Sequence, residues 1–206
     1  MIHDITPPVS EALAVWPGDT PLSREVLLDM KAGANLTLST LRATVHLGAH
    51  ADAPSHYGRD AATIESRSLD FYLGPCQVLR VDVERGARIE PRHVAGRVRE
   101  TRVLFATGTF PDPDRFREDF ASFAPETIDA LHALGVRLAG IDTPSVDPFS
   151  SKALEAHNRF LAHDMAILEG IVLKDVPEGT YELIALPLKL VGFDASPVRA
   201  ILRTLA

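Results

Sequence analysis

Within eleven residues, His46-Leu47-Gly48-Ala49-His50-Ala51-Asp52-Ala53-Pro54-Ser55-His56, the chain sets three imidazoles and a carboxylate. All four sit at even positions, so in an extended chain they project to one side while Val45, Leu47, Ala49, Ala51 and Ala53 face the other. Nitrogen and carboxylate donors grouped in this way are ligands for a divalent metal. A helix would also make His46 and His50 neighbours, but Gly48 disfavours a helix and Pro54 would break one. In a strand, His50 and Asp52 lie about 6.6 Å apart at their Cα atoms, and His46 stands about 13 Å from His50. Donors around zinc sit only about 2.0–2.2 Å from the ion, so the chain must curl between His46 and His50, and Gly48 is the residue that permits it. The expectation is a curled loop at a strand end. By spacing, His56 suits a ligand and an acid/base role equally.

A site of this kind needs further ligands, and the candidates downstream are His157 and His163, with Asp164 and Glu169 nearby. In one unbroken helix His157 and Glu169 would be about 18 Å apart along the axis. They meet at one ion only if the helix ends near His163-Asp164 and Glu169 lies on the next element. Gly170 and the β-branched Ile171-Val172 favour such a break. Trp16, the only tryptophan, is either a plug under the Pro17-Gly18 turn or a wall for a substrate ring. Asp142 reads as a turn cap or as a partner behind a histidine, with the cap preferred. Phe116, Phe120 and Phe123 read as a satellite core ahead of a flap over the site, and Cys76 as a buried, inert thiol.

The elements that must position these groups are short. Strands are expected over residues 1–6, 77–83, 103–107, 136–141, 171–173 and 181–186, and β-like pattern over 36–47. Within 36–47 the apolar parity slips, which a bulge near Thr40 would reconcile. Residues 24–31 suit either a helix or a strand. Helices are expected after Pro91, over 125–134 with Pro at the first turn and Gly135 beyond the end, and over 151–163. Strands alternating with short helices make an α/β or α+β domain.

With 206 residues, 46% hydrophobic and 24% charged, the chain fits one domain, residues 1–206, able to bury its own core. The net charge of -7 argues against nucleic acid and against an anionic membrane surface. One cysteine and no signal-peptide pattern lead to the expectation of a cytoplasmic protein. A Gly-x-Ser-x-Gly nucleophile elbow is absent from the sequence.

The His46–His56 segment resembles the His-x-Gly-Thr-His-x-Asp-x-Pro-x-His signature of the metal-dependent cyclase-like hydrolases. Ala49 departs from the threonine of the broader superfamily and is similar to the bacterial kynurenine formamidase (arylformamidase) branch. Val15–Pro21, Tyr72–Cys76, Gly140–Ser145, Ile167–Leu173 and Asp194–Ala200 agree with that branch, so the resemblance runs nearly end to end. It implies a β/β/α swivelling domain with mixed sheets and short helices, assembled as a homodimer. It implies two zinc ions per subunit, with Mn2+, Co2+ or Fe2+ also acceptable to such donors. His46, His50 and Asp52 would hold one ion and His157 the other, with Asp52 and Glu169 bridging. His56 would be the proton donor and acceptor and Trp16 a wall of the substrate pocket. The implied reaction is hydrolysis of the small molecule N-formyl-L-kynurenine to L-kynurenine and formate, using a zinc-bound hydroxide. Related expectations are a cyclic amide, a lactone or another N-formyl aromatic amine as substrate.

Overall fold

The computed structural model describes residues 1–205. Thirteen short strands run in chain order: β1 (Ile2–Asp4), β2 (Ser23–Leu28), β3 (Leu38–Arg42), β4 (His50–Asp52), β5 (Leu73–Arg80), β6 (Arg88–Ile89) and β7 (Arg102–Ala106). They continue as β8 (Ser122–Phe123), β9 (Leu138–Ile141), β10 (Ala166–Glu169), β11 (Gly179–Ile184), β12 (Ala195–Pro197) and β13 (Ile201–Thr204). The helices are α1 (Pro91–Val94), α2 (Pro125–Ala133) and α3 (Glu155–Ala162). Nine strands form one mixed sheet in the order β1-β13-β11-β5-β7-β9-β10-β4-β12. Its centre, β5-β7-β9-β10, is parallel, and antiparallel strands extend it on both sides. This is the mixed α/β architecture with short helices that the sequence implied.

Alternation along the strands divides the core into two layers. Leu104, Leu138 and Leu168 join Val78, Tyr72 and Leu202 on one face. Val103, Phe105, Ile141 and Ile167 pack on the other face against Ile128 and Leu131 of α2 and Phe160 of α3. Buried side chains of opposite parity on one strand are what a sheet covered on both faces requires. Ala49, Ala51 and Ala53 are fully buried in the first layer, so the odd positions of the histidine segment face the core as expected.

Several sequence expectations shift. The bulge lies not near Thr40 but on the partner strand, where Leu27 is the extra residue between Val26 and Leu28. Every residue of β2 and β3 is exposed, so the parity of that hairpin records no buried face. Residues 171–173 are not a strand. Gly170 takes φ +64 directly after β10 and turns the chain out of the sheet. Helix α3 ends at Ala162, with His163 as its cap and Asp164 in the left-handed region, which is the break expected before Glu169. No helix among the described residues is long and apolar enough to cross a membrane.

Candidate metal centre

The sheet brings together the first three candidate ligands. Strands β4 and β10 are antiparallel, with His50 opposite Glu169 and Asp52 opposite Ile167. Directly opposed side chains share a face, and Asp52, two residues from His50, shares it too. One donor atom from each of His50, Asp52 and Glu169 lies within 4.8 Å of the others. His46 cannot come from the strand, and the chain does curl: Gly48 has φ +58. The curl is packed as well as turned. A Cβ on Gly170 would lie 2.2 Å from the Gly48 carbonyl oxygen, so only glycine lets the end of β10 back onto this bend.

His157 reaches the same cluster from the first turn of α3. The Asp147 carboxylate accepts the Ala156 N–H at 3.0 Å and the His157 N–H at 3.1 Å, closing the start of that helix, and it also takes His157 Nδ1 at 2.7 Å. His157 Nε2 is thereby set 3.5 Å from Asp52 Oδ2 and 3.8 Å from Glu169 Oε1. The other histidines are held in the same manner. His50 Nδ1 donates to the Gly48 carbonyl at 2.8 Å, leaving Nε2 to face Glu169 Oε2 at 3.2 Å and Asp52 Oδ1 at 3.5 Å. His46 Nε2 bonds Asp194 Oδ2 at 3.1 Å while Nδ1 faces Asp52 Oδ1 at 3.1 Å. Each ring is gripped from behind and presents its second nitrogen to the carboxylates, the arrangement that orients imidazole toward a metal.

His50 Nε2 and both oxygens of Asp52 are buried and have no hydrogen-bond partner. A carbonyl can only accept, so the Gly48 contact keeps a hydrogen on Nδ1 and leaves Nε2 as a lone-pair donor beside carboxylate oxygens. Buried acceptors facing one another are costly unless a cation lies among them. Nitrogen and oxygen donors without thiolate fit Zn2+ and equally Mn2+, Co2+ or Fe2+. The residues present fit a divalent ion.

The electrostatics agree. Burial disfavours the imidazolium of His46, but Asp194 and Asp52 outweigh it and raise its pKa to about 10. His157 is likewise raised to about 10 by Asp147 and Asp52 against burial. Burial disfavours the Asp52 carboxylate, yet the surrounding histidines hold it well below its usual range. His56 differs: burial pushes it down. It sits at the rim, with Nδ1 3.4 Å from Asp194 Oδ2, and it forms a second group with His46 and Asp52 whose donor atoms lie within 4.8 Å of one another.

The cluster lies at a cavity of about 930 Å³ that His46, His50, His56, His157, Glu169 and Trp16 help to line. It opens beside the carboxyl ends of the parallel strands β7, β9 and β10, where α/β sheets place their ligands. Trp16 belongs to its wall, 4.9 Å between centroids from Phe149 and 5.5 Å from Phe116. Of the three phenylalanines expected together, Phe116 and Phe120 pair edge to face at 6.4 Å between centroids and both pack on Trp16, and Phe123 separates from them. Phe123 is core, against Phe105 and Phe160; Phe120 is buried; Phe116 lines the cavity. His163 stands apart, stacked on His132 and bonded to Asp129. Asp142 touches no histidine and binds Thr107 and Gly108 instead. Cys76 is buried, and burial raises its thiol beyond the usual range. The sequence reading missed Asp147 and Asp194. The signal for Asp147 was an aspartate preceding a helix that carries a candidate ligand; Asp194 opens a segment that carried the resemblance, but its spacing from the histidines gave it no role.

Residues 3–148 match the family described as "Putative cyclase". A solved structure of a "potential metal-dependent hydrolase with cyclase activity" superposes with TM-score 0.86 at 30% identity, covering 98% of this chain and 96% of that one. A "predicted metal-dependent hydrolase" from Bacillus stearothermophilus gives 0.83 at 30% identity, covering 98% and 97%. Isatin hydrolase A from Labrenzia aggregata shares the fold, with TM-score 0.84 at 23% identity, covering 98% and 93%. With its histidine and carboxylate cluster at the strand ends, and with a match over most of its length, this chain belongs to the cyclase family.

Proposed function

We propose that the protein is a metal-dependent amide hydrolase that converts N-formyl-L-kynurenine to L-kynurenine and formate, with zinc as its metal. The observation that carries this reading is the pairing, in one cavity, of the His50–Asp52–His157–Glu169 cluster with an aromatic wall containing Trp16. A bound divalent ion would supply Lewis acidity and lower the pKa of a water to about 7. His46, His50, Asp52, His157 and Glu169 would hold the metal, with Asp52 and Glu169 central because Asp52 faces three of the histidines and Glu169 two.

His56 is the proton carrier in this scheme. Its ring borders the cavity and burial keeps its pKa below the usual value, so it is neutral near pH 7 and able to accept a proton. The aniline-type nitrogen leaves only when protonated, and the same ring can return the proton there. Asp194, beside Nδ1, orients it. Trp16 would meet the substrate ring face to face or edge to face. Lys152 and Lys174 line the mouth of the cavity and suit the carboxylate of an amino-acid side arm.

A cyclic amide of the isatin type is the second reading, supported by the shared fold with an isatin hydrolase. Zinc-loaded protein should release formate from N-formyl-L-kynurenine with a higher kcat/KM than it opens isatin, and chelation should abolish both activities. Faster isatin opening would reverse the two readings. Turnover that survives complete metal removal would overturn both.

A further inference from the structure

His163 and Asp164 lie outside the metal cluster, yet they form the corner that decides where two of its ligands stand. Helix α3, which carries His157, ends at Ala162, and β10, which ends in Glu169, starts at Ala166. The turn between them closes on its own backbone. The Asp164 N–H donates to the Leu161 carbonyl at 3.2 Å and the Met165 N–H to the Phe160 carbonyl at 3.0 Å, and Asp164 takes φ +49. This is the helix ending that usually has glycine at its left-handed position, because a side chain there is disfavoured. Both corner residues are held from other elements. Arg67 Nη1 donates to Asp164 Oδ1 at 2.5 Å. His163 Nε2 lies 2.6 Å from Asp129 Oδ1, and its ring stacks on His132 with 4.1 Å between centroids. The Arg67 side chain is 8% exposed, its guanidinium lies 4.4 Å over the Phe71 ring, and Nε and Nη2 are buried with no partner. A buried guanidinium that uses only part of its fork costs stability, so its place is explained by what it fixes.

We propose that Arg67 is a positioning residue of the metal centre: by holding Asp164 in the left-handed conformation it sets the angle at which β10 leaves α3, and so the placing of Glu169 against His157. The inference rests on the metal-binding part of the reading above. His157 Nε2 and Glu169 Oε1 stand 3.8 Å apart, and an ion between such donors tolerates little error. If Asp164 relaxed into the right-handed region, α3 would run on by one residue. That would advance the chain by about 1.5 Å and turn it by about 100° before the sheet begins. Glycine would hold this turn unaided. The Arg67–Asp164 pair does so while adding a link that glycine cannot supply. Arg67 follows the 3-10 turn Ile64–Ser66, and the Ile64 N–H donates to the Phe193 carbonyl at 3.0 Å, one residue before Asp194. The corner that places His157 and Glu169 is thereby joined to the segment next to the partner of His46 and His56.

Zinc affinity of the full chain, measured by competition with a graded series of chelators, tests this without turnover. Arg67→Met keeps bulk over Phe71 but loses the hold on Asp164, and should weaken zinc binding about tenfold, the low end of the range for a group that orients a ligand. Asp164→Ala should weaken it comparably, because alanine disfavours the left-handed region. Asp164→Gly should bind zinc as the parent does. Adding Arg67→Met to Asp164→Gly should cost little more, because one residue acts through the other. A merely structural role would lower the melting temperature of these variants without producing this order of affinities. The Asp164 side chain is 73% exposed, so its substitutions leave the core untouched and decide the matter alone if Arg67→Met does not fold. Parental affinity in Asp164→Ala, or equal losses in Asp164→Ala and Asp164→Gly, would overturn the inference while leaving the metal centre in place. A parent that takes up no zinc would overturn the metal reading and this inference together.

Discussion

The metal cluster has two halves built by different means. His50, Asp52, His157 and Glu169 have side chains no more than 4% exposed, and each is fixed by a strand register, a helix start or a backbone carbonyl. His46, His56 and Asp194 have side chains 17%, 35% and 47% exposed, and they come from a bend, a single 3-10 turn and a loop end. The floor is set by the backbone, whereas the rim is set by side chains holding one another. A pre-positioned floor suits ion binding, which tolerates little error in donor distance. A solvent-reaching rim suits proton exchange.

The largest test of this division is at its centre. Asp52→Ala, which deprives both halves of their shared carboxylate, should lose bound metal altogether by elemental analysis and lose turnover with it. His56→Asn should keep the metal while kcat falls about 10²- to 10⁴-fold, the range of a lost proton-transfer group. If His56→Asn instead strips an ion, His56 belongs with His46 in the ligand set and its role as proton carrier falls.

A smaller effect separates the carboxylates behind the rings. Asp147→Asn should weaken metal affinity roughly 10- to 100-fold, as expected for a group that orients a ligand. Asp194→Asn, exposed and bonding its ring at 3.1 Å rather than the 2.7 Å of Asp147, should cost less. Competition with a chromogenic chelator would rank them, and equal losses would erase the difference between floor and rim.

The mildest effect is on pH dependence. His46 and His157 are raised from 6.5 to about 10, so between those values the folded chelator-stripped protein binds more protons than the unfolded chain. Stability from these rings is complete below about pH 6.5 and declines as pH rises toward 10. Thermal melts of stripped protein should therefore shift downward across that window. Metal affinity should rise over the same range, because the ion displaces those protons. A melting temperature that climbs from pH 7 to 10 would contradict the protonated cluster.

Parts of this arrangement were legible in the chain. Alternation over residues 46–56 separated ligands from core, because a strand's period of two is a local property. The need for a bend at Gly48 followed from the fixed rise per residue, and the helix break before Glu169 from the same arithmetic. The β2–β3 hairpin misled because its apolar residues are exposed on both faces, so their parity carries no information about burial. A strand was expected at 171–173 rather than at 166–169 because Ile171-Val172-Leu173 has strand propensity, while the chain turns at Gly170, where it packs closely on Gly48.

The sequence by itself determined which donors the protein owns, that His50 and Asp52 share a face, and that Gly48 must bend the chain. Only the tertiary structure decided that Glu169 lies opposite His50, that Asp147 and not another acid holds His157, and that Asp194 reaches His46 from almost 150 residues away. Strand order, antiparallel register and loop closure depend on packing between segments remote in sequence, and local spacing carries no record of that packing.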